Sequence, residues 1–78
     1  MMEDFGKRIE INISVMAGKP VIKGTRISVE SIVEELGSGY SLQDVLQAHP
    51  RLQKEDVLAA LQYASAIMKN EKIYTIAS

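Results

Sequence analysis

The sequence predicts a mainly α protein, a short N-terminal β ribbon feeding a three-helix unit, in one domain spanning residues 1–78. Three observations carry this. Apolar and polar residues alternate strictly from Arg8 to Val15. Further on, apolar residues recur with helical spacing, first from Val29 and again from Val57. And 78 residues leave no room for a second core.

Residues 1–7 are expected to fray, with the ribbon over 8–27. In the first strand Ile9, Ile11, Ile13 and Val15 share one face, because side chains alternate across a pleated strand. Turn chemistry follows at Gly18 and Pro20, then a very short extended piece at Val21-Ile22. Lys23-Gly24 makes a second turn before Thr25-Arg26-Ile27 extends again. Ser28 is an N-cap, its hydroxyl free to accept an orphan N–H of the first turn.

The three-helix unit occupies residues 28–68. Val29, Ile32, Val33 and Leu36 form the stripe of the first helix, which ends at Gly37-Ser38-Gly39. Ser41 caps the second helix with Asp44 in the capping-box position, and Leu42, Val45 and Leu46 face inward. His49-Pro50 stops it, since the residue before proline leaves the α region. The third helix runs from about Lys54 to Met68 with a stripe of Val57, Ala60, Leu61, Ala64 and Met68. Its outer face is then Glu55, Ala59, Gln62 and Ala66. The tail, residues 69–78, turns β-prone at Ile73, Tyr74 and Ile76 and has room for one short C-terminal strand.

Composition narrows the function. The chain is 46% apolar and 24% charged, as expected of a globular domain. With no cysteine, a partner chain is the expected stabiliser of so small a domain. No apolar run approaches the about 20 residues that cross a bilayer, and the N-terminus lacks a signal-peptide layout, so the protein is read as cytoplasmic. Net charge is −1. Up to Ser28 there are five basic and three acidic residues, and beyond it four and seven. That balance weighs against strong, independent DNA binding.

Chemistry is sparse. His49 is the only histidine, with no cysteine or carboxylate pair beside it in sequence, so it is assigned to the turn before Pro50. No catalytic residue, cofactor or metal site is expected. Pro20 stands where a phosphate loop needs Ser or Thr. Lys19, Lys23 and Arg26 cluster on the ribbon, and with Lys54 they are the candidate nucleic-acid contacts. The structural alternative leaves the lysines solvated and pairs Arg26 with Glu30 or another acid of the first helix. The helix order also matches a helix-turn-helix unit. However, Glu55 and Asp56 at the start of its last helix would meet phosphates at a cost.

The stretch Gly18-Lys19-Pro20-Val21-Ile22-Lys23-Gly24-Thr25-Arg26-Ile27-Ser28-Val29 resembles the signature of the domain of unknown function 433 (DUF433) family, small antitoxin-like prokaryotic proteins. The likeness continues through Gly39 to Asp44, Pro50-Arg51-Leu52 and Ala60 to Ala64, covering roughly Ile11 to Met68. It implies a homeodomain-like three-helix fold behind a small β element. It also implies the role of antitoxin in a type II toxin–antitoxin pair, opposite a PIN-like ribonuclease toxin. Two positions depart from the pattern. Ala17 stands where glycine is common, and Gln53 replaces a Ser or Thr cap.

The expectation is therefore a protein-binding module rather than an enzyme. Ile73, Tyr74 and Ile76 would add as a strand to a partner's sheet. The rivals are a DNA-binding repressor of its own operon and a structural adaptor. A homodimer is expected through Ile9, Ile11, Ile13 and Val15, whose pairing would close exposed strand edges.

Overall fold

The computed structural model describes residues 7–71, with side chains to Lys69. The tail residues Ile73, Tyr74 and Ile76, and the strand expected there, lie outside them. The architecture is a two-stranded antiparallel sheet, β1 (Ile9–Glu10) and β2 (Val21–Ile22), followed by α1 (Val29–Gly37), α2 (Leu42–Ala48) and α3 (Lys54–Glu71). Ile9 pairs with Ile22 and Glu10 with Val21. The expected fold class holds.

The first strand is shorter than its alternation predicts. Asn12 ends it. Its side-chain carbonyl accepts the Ser14 N–H at 2.8 Å and its backbone carbonyl accepts the Val15 N–H at 2.8 Å. This local turn outcompetes the ladder, as asparagine side chains tend to do. Ile11 and Ile13 are consequently exposed, Ile13 at 83%, while Ile9 and Val15 are half-buried. The four residues do not form one strand face. The chain then winds through Met16, Ala17 and Gly18 with φ of 51°, 56° and 85°, a left-handed turn.

From β2 the chain reverses in the loop Lys23-Gly24-Thr25-Arg26 rather than extending again. Ile22 N–H donates to the Ile27 carbonyl at 2.9 Å, and both the Thr25 N–H and hydroxyl donate to the Ile22 carbonyl. The Thr25 hydroxyl oxygen in turn accepts from Ile27 N–H at 2.9 Å. One threonine thus closes the loop from both sides.

The helices begin where their caps predict. Ser28 accepts from Ser31 N–H at 3.0 Å, and Ser41 with Asp44 forms a complete capping box. At the end of α1, Tyr40 N–H reaches back to the Glu35 carbonyl at 3.0 Å across Gly39, whose φ of 108° suits only glycine at low cost. Ile22, Val29, Ile32, Val45, Leu52, Val57 and Ala60 form the buried core, with Leu36, Leu42, Leu46, Tyr63 and Ala64 packed around it.

The stripe on α3 is rotated relative to its prediction. Ala59 is buried, whereas Leu61 and Met68 are exposed. Both possible stripes share Val57, Ala60 and Ala64. The side is chosen by Asp56, itself 7% exposed, whose carboxylate takes the Arg8 guanidinium at 2.8 Å and Gln53 N–H at 2.8 Å. That clip turns the Asp56–Ala59–Ala60 side inward, and the bond to Gln53 N–H supplies the half of a capping box that the third helical residue contributes. The helix also runs past its predicted end at Met68, to Glu71.

Candidate functional site

Between α1 and the C-terminal half of α3 lies an open, largely apolar groove of ≈ 340 Å³. Its walls are Val29 and Val33 on α1 and Tyr63, Ala64, Ile67 and Met68 on α3. The sequence stripe places Val33 in the core, but it is exposed, because α3 approaches α1 with alanines and leaves the flanking position uncovered. Met68, 61% exposed, and Ile67 continue the apolar surface toward the end of α3. Glu30, Glu34 and Lys19 form the rim. Lys19 Nζ donates to Glu30 at 3.1 Å, so the partner of Glu30 is Lys19 and not Arg26. Both side chains are well exposed, so this pair contributes little to stability. Glu34 leaves the rim acidic.

The other candidate residues lie elsewhere. Lys23 lines an open cleft of ≈ 650 Å³ with Lys7, Arg8, Glu55, Asp56 and Leu58. Arg26 is exposed on the loop beyond β2, and Lys54 opens α3. Of the four candidate nucleic-acid contacts, Lys19 is thus separated from Lys23, Arg26 and Lys54. Exposed Ile11 and Ile13 sit on the turn after β1, away from any strand pairing.

His49 has a partner that its sequence neighbours do not reveal. Its Nε2 lies 2.9 and 3.1 Å from the two carboxylate oxygens of Glu35, half-buried, joining α1 to the end of α2. The two residues are fourteen apart, on different helices, so no local pattern announces the pair. Among the described residues, no group of three or more His, Cys, Asp or Glu side chains is placed to hold a metal ion. No helix there is long and apolar enough to cross a membrane.

The groove was legible in sequence only as a surplus of apolar residues on α3, such as Ile67. Which of them stay open depends on where α1 crosses.

Residues 9–64 match the family described as "Protein of unknown function (DUF433)". An uncharacterized protein, y4eO, of Sinorhizobium fredii is 35% identical over 52 residues, 67% of this chain. The chain spans only 24% of that relative's length. The crystal structure of a DUF433 member protein from Anabaena variabilis is similar with a TM-score of 0.76 and 30% identity, over 81% of this chain and 62% of that one.

Proposed function

Since the chain belongs to the DUF433 family, a family defined without an assigned activity, we propose that it is a protein-binding module of antitoxin type that seats an apolar segment of a toxin in the α1–α3 groove. One observation carries this reading: Val33, Ile67 and Met68 remain exposed along a continuous apolar channel. Large apolar side chains gathered in one groove are a feature of docking sites. The acidic rim at Glu34 favours a segment whose apolar side chains are flanked by lysine or arginine. A helix presenting apolar residues at i, i+3 and i+4 is the shape such a groove takes. The tail residues Ile73, Tyr74 and Ile76 would extend the contact, and a PIN-like ribonuclease is the class of toxin proposed.

Co-expression with the product of the neighbouring reading frame, followed by co-purification, tests the proposal. We expect a stable complex and relief of toxicity. Val33→Asp combined with Met68→Asp should break the complex at least 10-fold while leaving thermal stability near that of the parent, since both side chains are already exposed. Complex formation unaffected by the double substitution would overturn the groove as the docking site. No complex and no relief of toxicity would overturn the antitoxin reading itself.

A further inference from the structure

The described residues carry eight basic and seven acidic side chains, yet the fold separates them. Three hydrogen bonds gather one end. Lys23 N–H donates to the Arg8 carbonyl at 2.7 Å, bringing Lys7 and Arg8 beside the 23–26 loop. Arg51 donates through Nη2 to the Gly24 carbonyl at 3.2 Å, bringing the α2–α3 connection to the other side of that loop. Arg8 holds Asp56 at 2.8 Å, fixing the start of α3, where Lys54 stands. Six cations from three distant segments therefore share this end: Lys7, Arg8, Lys23, Arg26, Arg51 and Lys54.

Among the described residues, Glu55 and Asp56 are the acids that stand with them at the start of α3, and Asp56 is already engaged by Arg8. A net excess of four positive charges results, against an acidic excess of three over the rest of the described side chains. Glu35, on the α1 side, is taken up by His49. Lys7, Lys23, Arg26, Arg51 and Lys54 are all exposed. A chain with net charge −1 thus presents a concentrated cationic surface.

We propose that this end binds the phosphate backbone of a nucleic-acid duplex, independently of sequence and of the groove. The loop 23–26 projects two cations between the flanking pairs, a spread suited to successive phosphates rather than to one small anion. Neither tyrosine of the described residues belongs to this end, so no tyrosine there supplies the base stacking that favours single strands. The contact is also unlike a recognition helix, because the exposed Glu55 at the start of α3 repels phosphate there.

Fluorescence anisotropy of the full chain with labelled duplexes of unrelated sequence is the test, with DNA duplex, RNA duplex and single strands as separate arms. About four phosphate contacts predict a log–log salt slope of about −3.6, so affinity should fall about 100-fold between about 50 and about 200 mM salt. Lys23→Glu with Arg26→Glu should weaken binding at least 10-fold and make the slope shallower by about 2. Lys69→Glu, at the far end of α3, should change affinity less than 3-fold. The double variant should keep the parent's circular dichroism and its complex with the neighbouring gene product. Should it lose its fold, Lys23→Gln with Arg26→Gln supplies the same comparison. Equal binding of both duplexes supports a pure backbone contact, and preference for one names the source of the phosphates. Binding that is indifferent to salt or to both double substitutions, or tighter for single strands, overturns the proposal.

Discussion

At the scale of single residues, Asp56 has the most consequence for this fold. In sequence it reads as one of two acids favouring the positive end of a helix. In the structure it also accepts from the Gln53 backbone N–H and from Arg8, so one carboxylate caps α3 and ties the ribbon to it. Removing it strands a partly buried guanidinium and an orphan N–H together. Asp56→Ala should therefore cost about 2–4 kcal/mol, read as a lower urea midpoint, with Asp56→Asn losing less because its carbonyl still accepts from Gln53. An unmoved midpoint in Asp56→Ala would remove the clip from the account of stability. Thr25 shows the same economy with local partners, Ile22 and Ile27, whereas the Arg8 partner of Asp56 lies 48 residues away and cannot be read from its neighbours.

Among the elements, the left-handed turn Met16–Gly18 departs furthest from the sequence reading. Alternation from Arg8 to Val15 was a strong strand signal, and Asn12 defeated it by closing a turn on its own side chain. Past Val15, Met16 and Ala17 then take positive φ, which costs roughly 1–2 kcal/mol each for an L-residue. Ala17 stands at φ 56°. Ala17→Gly should relieve that strain faster than it loosens the unfolded chain, a net gain of about 0.5–1 kcal/mol and a rise in Tm of about 2–6 °C by scanning calorimetry. A fall in Tm would show that the turn is not strained at this position. The helices behaved otherwise. Their starts were legible because Ser28 and Ser41 are local caps, whereas the inward side of α3 was not, because Ala59 and Leu61 compete and only a neighbour decides between them.

Over the whole molecule, the turn after β1 bears on self-association. Ile11 is 60% exposed, so its replacement by a charge meets water rather than the core. Ile11→Asp should leave the unfolding midpoint within about 0.5 kcal/mol of the parent. Light scattering of the parent and this variant then tests the expected homodimer directly. A parent that is dimeric and a variant that is monomeric would assign the contact to this turn, and a monomeric parent at micromolar concentration would dispose of it. The groove and the cationic end lie on different parts of the fold, which lets one small domain present two separate surfaces.

The order of elements, their caps and the family signature were fixed by local information, because caps, periodicity and turn residues act over a few positions. Tertiary structure alone decided which apolar side chains of α1 and α3 stay open, that His49 meets Glu35, and that Arg51 and Lys54 join Lys7 and Lys23. Each of these depends on contacts between segments far apart in the chain, and no window of sequence contains both partners.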